Sequence, residues 1–381
     1  MSISRRNVTL GLALSALSAC GAAPRFSGPA AGGPDPAFLP QPNPGWDAWV
    51  AGFKGRAAAR GIAPATLDTA FRGAGFLPGV IERDRNQTEF KRSLEDYLSI
   101  AASDERVAKG RANYARYRGL LNEIEARYGV SAAIVTAVWG LESMYGERRG
   151  TVPVVSGLST LAYEGRRGEF FENQLMAALK ILQNGDTTPA NMTGSWAGAM
   201  GHTQFIPASY LGYAVDFRGD GRRDIWSEDP TDALASTANY LSRSGWRRGE
   251  AWGGETGSPG AAVGGRTLQP QAGGPVFVVG RNFGVIKRYN NSDAYAIGVG
   301  HLADRIAGAG PLRGTFGPDE NGLTKADRQE LQNRLTRAGY DTGGTDGVIG
   351  TNSRAAISAY QQARGMAVTG EPSVALLASL R

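Results

Sequence analysis

Residues Ser131–Gly146 read SAAIVTAVWGLESMYG. Ser131 offers an N-cap hydroxyl, and Ile134, Val135, Val138 and Leu141 follow at helical spacing. Gly146 offers the left-handed position at which helices commonly end. The pattern predicts a core helix. Its one acidic residue, Glu142, stands four after Val138 and seven after Val135, on the face expected to point inward. It also lies in the last turn, where the helix dipole disfavours negative charge. Burial and dipole both raise a carboxyl pKa, which keeps a Glu protonated as a general acid near neutrality. The same carboxylate can equally serve as a structural partner of Arg148, Arg149 or Arg166.

The chain has 381 residues, 41% of them hydrophobic and 20% charged, enough for two or three domains with a sizeable core. Its 54 glycines imply many turns, and the formal net charge of +6 describes a mildly basic surface. With only His202 and His301, a zinc site or a His-based triad is not expected. There is no phosphate-binding loop, dinucleotide fingerprint or nucleophile elbow, and basic residues are not interleaved with stacking aromatics, which excludes nucleic acid as a partner.

The first residues read as a targeting segment. Arg5 and Arg6 precede an apolar run from Val8 to Ala19, too short to span a bilayer but right for a signal core. Ser4–Val8 resembles a twin-arginine export signal, and Leu17-Ser18-Ala19-Cys20 resembles a bacterial lipobox with Cys20 as the lipidated residue. Cys20 is the only cysteine, so no disulfide is expected. Residues 1–20 are expected as signal peptide and 21–44, rich in Pro, Gly and Ala, as a flexible tether. Helices are expected over Trp46–Arg72, Glu89–Ile100, Asp104–Tyr128, Glu169–Gln183, Pro230–Gly245 and Asp293–Ala307, with a short strand at Val276–Val279. Residues 311–322 form a second linker, and 323–381 a separate small unit.

Two further segments suggest a ligand cleft. Gly194–Tyr210, GSWAGAMGHTQFIPASY, combines small residues that permit close backbone approach with Ser195 and Gln204, which can bond hydroxyl or amide groups. Lys287–Ala296, KRYNNSDAYA, sets Tyr289 and Tyr295 around two asparagines, and polar-tipped aromatics of this kind line carbohydrate clefts. A tight packing crossing and a capped polar loop account for the two segments equally well on their own. Tyr240, near the end of its helix, reads by itself as core.

Together, VWGLESMYG, GSWAGAMGHTQFIPASY, DFRGDGRRDIW, DALASTANYL and RYNNSDAYA resemble, in order, the lytic murein transglycosylase B family over residues 45–310. The resemblance implies a mainly α, lysozyme-like catalytic domain with some β structure (α+β) and a deep saccharide cleft. It implies Glu142 as the single catalytic acid and base, with Ser195, Gln204, Tyr240, Tyr289, Asn290 and Tyr295 as cleft positions. It further implies cleavage between N-acetylmuramic acid and N-acetylglucosamine with closure of a 1,6-anhydro ring, needing no cofactor. A hydrolytic muramidase and a non-catalytic wall anchor are the alternatives.

Asp216–Ser227 resembles a calcium loop: Asp216, Asp220 and Asp224 occupy positions 1, 5 and 9 and Gly221 the turn at 6, and Asp232 matches a further acidic residue of the family. Arg218 at position 3 and Ser227 at position 12 depart from the pattern, and Arg218 is offered as a replacement for the metal, pairing with the aspartates. Bound calcium is expected, if at all, in a structural role. The C-terminal unit resembles a three-helix peptidoglycan-binding domain through LQ, GY, DG-IG, AYQ and TG, with Leu331, Leu335, Ile357, Tyr360 and Leu376 as its small core. A monomeric periplasmic lipoprotein is therefore expected, anchored at Cys20. Gly21 after the cysteine is not the Asp of inner-membrane retention, which favours the outer membrane.

Overall fold

The computed structural model describes residues 35–86 and 93–381. The signal peptide, Cys20, most of the tether and residues 89–92 of an expected helix lie outside the described residues. Helices dominate. In chain order they are α1 (Pro44–Ala59), α2 (Pro64–Phe71), α3 (Pro78–Arg85), α4 (Leu94–Ala101), α5 (Asp104–Arg116), α6 (Arg118–Tyr128), α7 (Ala132–Ser143), α8 (Val154–Glu164), α9 (Gly168–Gln183), α10 (Pro207–Tyr213), α11 (Thr231–Arg243), α12 (Arg281–Tyr289), α13 (Asp293–Ile306), α14 (Lys325–Arg337), α15 (Thr351–Ala363) and α16 (Val374–Ser379). Strands β1 (Val152–Pro153) and β2 (Thr193–Gly194) pair antiparallel, and β3 (Gly253–Glu255), β4 (Arg266–Leu268) and β5 (Phe277–Val279) form a sheet in the order β3-β5-β4, also antiparallel. The strand expected at Val276–Val279 is the central one. None of the described helices is long and apolar enough to cross a membrane.

Three cores organise these elements. One gathers α4 to α7, α11, α13 and the three-stranded sheet; a second gathers α1 to α3 with α8 to α10. The third belongs to α14–α16 and contains Leu331, Leu335, Ile357, Tyr360 and Leu376. Tyr240 and Tyr289 pack against both of the larger cores, so the junction between the two lobes runs past them.

Two long helices expected from periodicity are each broken. Gly61 at φ +88° and Pro64 separate α1 from α2, because proline starts a helix far more readily than it continues one. Tyr117, at φ −100° and ψ 18°, ends α5 and opens α6. The core helix is buried all round rather than on one face: every residue of α7 is buried except Glu142. Each large aliphatic side chain sealed there contributes about 1.5–3 kcal/mol of burial. Ser131 makes no side-chain cap; the Glu125 carboxylate takes the Ala132 N–H instead, at 2.9 Å. The helix also ends sooner than Gly146. Met144, Tyr145 and Gly146 have φ of 51°, 59° and 91°, three consecutive left-handed residues of which two carry a Cβ. Such backbone is held only where its surroundings enforce it, and it lies directly after Glu142.

Candidate active site

Glu142 reaches the lobe junction from the last turn of α7, half-buried, and its Oε1 accepts a hydrogen bond of 2.6 Å from the Tyr295 hydroxyl. Tyr295 is itself 4% exposed and sits in the first turn of α13, whose N-cap is Ser292. The close approach of α13 to its neighbours depends on Gly298, where an added Cβ would lie 2.8 Å from the Tyr97 ring and 3.5 Å from Leu141. Desolvation lifts the Glu142 carboxyl from its ordinary 4.5 to about 7, and the Tyr295 hydrogen bond works against that rise. Among the described residues no neighbouring charge contributes to the shift. Two of the arginines weighed as structural partners are engaged elsewhere, Arg149 with Glu228 and Arg166 with Asp84 at 2.5 Å.

The other expected cleft residues come together around the same junction. Tyr289 donates to the Thr203 carbonyl at 2.6 Å, and Tyr240 donates to the Arg288 carbonyl. Their rings lie 5.0 Å apart, with Tyr213 4.6 Å from Tyr240, so Tyr240 belongs to an aromatic wall as well as to the core. Asn290 is buried, and its Oδ1 has no hydrogen-bond partner among the described residues, so it is open to accept from a donor. Ser195 Oγ accepts the Ala199 N–H at 3.1 Å and shapes the turn of its loop. Gln204 holds φ at 54°, and its amide nitrogen donates to the carbonyls of Arg149 and Gly201 at 3.0 and 2.8 Å. That leaves only its carbonyl oxygen for a ligand.

Sequence reading missed the brace behind the acid. His202 Nδ1 accepts from Trp139 Nε1 at 3.1 Å, and its Nε2 lies 2.7 Å from the Ser227 carbonyl. The pattern requires a neutral ring protonated on Nε2, and burial lowers its pKa accordingly. Ser143, next to Glu142, donates to the His202 carbonyl at 2.5 Å and accepts the Gly146 N–H at 2.9 Å. One hydroxyl thus clamps the left-handed turn to the ligand loop. Gly146 completes it, since a Cβ there would stand 2.5 Å from His202 Nδ1. The signal in the sequence was the place of Ser143 in VWGLESMYG and of His202 in GSWAGAMGHTQFIPASY. Ser143→Ala should cost about 1–3 kcal/mol by orphaning a buried N–H and a buried carbonyl. Denaturant unfolding checks this; an unchanged midpoint would show that the clamp carries no weight.

The aspartate loop is closed on its own backbone. Asp216 accepts the N–H groups of Gly219, Asp220 and Gly221 at 2.6, 3.1 and 2.8 Å, and Asp224 accepts those of Trp226 and Ser227 at 2.9 and 3.1 Å. Asp220 accepts from the Arg222 N–H, while Asp232 bridges Phe217 and Asp224 through theirs. Arg218 does not pair with the aspartates; it turns out to Glu123 on α6. Among the described residues no three acidic, His or Cys side chains converge on a metal position. As arranged, their carboxylates close the loop on its own backbone and are not gathered around a metal position. Thermal melts in EDTA and in millimolar calcium should therefore superimpose, since a ligand without a folded-state site cannot stabilise the fold. A rise of several degrees with calcium would overturn this.

Comparison with known proteins places the site in context. Residues 45–265 and 259–304 match the family described as transglycosylase SLT domain, and residues 324–380 match a peptidoglycan binding domain. The chain is 34% identical over 242 residues to the membrane-bound lytic murein transglycosylase B of Escherichia coli (strain K12); the match spans 55% of this chain and 66% of that relative, just under two thirds. In structure it is similar to SltB3 from Pseudomonas aeruginosa, solved in complex with NAG-NAM-pentapeptide, at 44% identity and a TM-score of 0.69, covering 89% of this chain and 100% of that one. It is also similar to the Escherichia coli lytic transglycosylase Slt35 in complex with calcium, at 28% identity and a TM-score of 0.60, covering 70% and 93% of the two chains.

Proposed function

The chain belongs to the transglycosylase SLT family, with its lysozyme-like, mainly helical fold, and from that premise we propose that it is a lytic transglycosylase of peptidoglycan with Glu142 as its single acid and base. The observation that carries the reading is the desolvated Glu142 carboxyl bonded to the Tyr295 hydroxyl, with no carboxylate among the described residues shifting its ionisation. Retaining glycosidases place two carboxyl groups about 5–5.5 Å apart, and inverting ones hold a water between a wider pair. A lone Glu suits a reaction in which the nucleophile comes with the substrate.

Protonated Glu142 gives its proton to the oxygen linking N-acetylmuramic acid to N-acetylglucosamine, and the C1–O bond breaks. The muramic N-acetyl group steadies the positive centre. The Glu142 carboxylate then takes the proton of that sugar's C6 hydroxyl as its oxygen bonds to C1, closing the 1,6-anhydro ring. No water is consumed. Intramolecular attack of this kind reaches effective molarities of about 10⁵ M or more. A carboxyl near pH 7 in its pKa is suited to both transfers. Tyr240, Tyr289 and Ser195 would shape the glycan path, with Asn290 Oδ1 and the Gln204 carbonyl as acceptors for sugar hydroxyl or amide groups.

In this reading residues 45–310 cleave the glycan and residues 323–381 bind the wall. Residues 1–20 would be a lipoprotein signal peptide, Cys20 the anchor and 21–44 the tether, placing a monomeric enzyme on the periplasmic face of the outer membrane. Mass spectrometry of soluble products from purified sacculi tests the chemistry. Anhydromuropeptides are expected; reducing muramic ends would make the protein a hydrolase, and absence of products from a folded, wall-bound protein would make it an anchor.

A further inference from the structure

The C-terminal unit meets the catalytic lobe around one side chain. Arg328 of α14 is 2% exposed, and each of its five guanidinium N–H groups has an acceptor. Nε donates to the Gly347 carbonyl at 2.7 Å, and Nη1 to Asp319 Oδ2 at 3.0 Å and the Leu323 carbonyl at 3.1 Å. Nη2 donates to Glu95 Oε2 and Asp96 Oδ1, both at 2.9 Å. Two acceptors therefore belong to the C-terminal unit and one to the stretch that leads into it. The remaining two are the opening carboxylates of α4, in the lobe that holds Glu142. Both carboxylates sit in the first turn of α4, where the helix dipole offsets their crowding. The connecting stretch is pinned as well: Arg313 N–H and Gly314 N–H bond the two oxygens of Glu255 at 2.8 and 2.5 Å, and Leu312 and Phe316 pack on the first core.

We propose that this hub locks the C-terminal unit onto the catalytic lobe as one rigid body, so that the unit presents the wall to the cleft in a fixed orientation. The proposal rests on reading that unit as peptidoglycan-binding. A tethered anchor would need no desolvated arginine, because a flexible linker alone supplies a high local concentration of substrate. A guanidinium is required here, since a lysine ammonium cannot reach five acceptors in one plane. Helix α4 also carries Tyr97, which lies against α13 at Gly298, so the unit docks on the side of the lobe that positions Tyr295.

Arg328→Met and the double variant Glu95→Gln/Asp96→Asn test the lock from its two sides, in the purified full-length protein. Each should raise the radius of gyration in small-angle scattering by several ångströms. Each should slow solubilisation of sacculi at least about fivefold while leaving kcat/KM on a soluble NAG-NAM tetrasaccharide within about twofold, the split expected when only orientation is lost. The double variant leaves the bonds of Arg328 within its own unit in place, so a defect confined to Arg328→Met reports local unfolding and overturns the proposal. A compact double variant with unchanged sacculus activity overturns it too. A wild type that dissolves no sacculi refutes the functional reading instead, while the scattering comparison still decides whether the lock exists.

Discussion

Glu142→Gln is expected to lower transglycosylation at least about 10³-fold while leaving the fold intact and, above neutral pH, more stable than the parent. The loss follows from removing the group that, in the proposed mechanism, alone gives and takes the proton, and acid–base catalysis is worth about 10²–10⁴-fold at each transfer. The gain in stability follows from linkage. In the folded protein the Glu142 carboxyl titrates at about 7 instead of 4.5, so folding takes up a proton between those values. The raised carboxyl thus adds stability that is fully present below pH 4.5 and is lost as pH rises through about 7. Glutamine does not titrate and avoids that loss. One pKa unit corresponds to about 1.4 kcal/mol; discounted for the partial exposure of Glu142, the variant should gain about 2 kcal/mol at pH 8 and nothing at pH 4. Denaturant unfolding at the two pH values, with product analysis alongside, checks both halves. Retained anhydro products, or equal stability at pH 8, would remove Glu142 from the centre of the mechanism.

The desolvation of that carboxyl was legible in the sequence. A carboxylate inside VWGLESMYG is costly at the end of a buried helix, and only chemistry or an ion pair explains it. The C-terminal unit was equally readable. Thr324 with Asp327 forms a capping box, Ser373 caps α16, and the expected five apolar residues share one core. Elsewhere local signals were outvoted by tertiary ones. Periodicity ran α5 and α6 together because a break at Tyr117 involves no proline or glycine. Helix α8 went unassigned although Val154, Val155, Leu158, Leu161 and Ala162 stand at helical spacing, and Ser156, Ser159 and Thr160 between them are buried as well. The aspartate loop raises a related point. Spacing counts carboxylates, but it does not show whether they turn toward an ion or toward their own backbone amides. His202 lay inside GSWAGAMGHTQFIPASY with no role assigned to it, and its part as a neutral brace depends on Trp139 and Ser227, far away in the chain.

Tyr295→Phe should slow catalysis by about 10²-fold and move its pH dependence upward. The Tyr295 hydroxyl donates to Glu142 Oε1 at 2.6 Å, which favours the carboxylate and holds its pKa below the value burial alone would impose. Deleting the donor leaves burial unopposed, so the Glu142 pKa rises above about 7. The first step needs the protonated acid, so the alkaline limb of kcat/KM, which reports the free enzyme, shifts to higher pH. The rate at the optimum falls nonetheless, because the carboxylate that must later take the C6 proton is no longer held in place, and orienting donors at such sites are worth about 10²–10³-fold. Tyr289→Phe is the matched control: its hydroxyl bonds the Thr203 carbonyl, so the limb should stay where it is. A purely structural Tyr295 would lower activity at every pH and leave the limb in place. Only direct coupling of the hydroxyl to the acid moves it, and only upward.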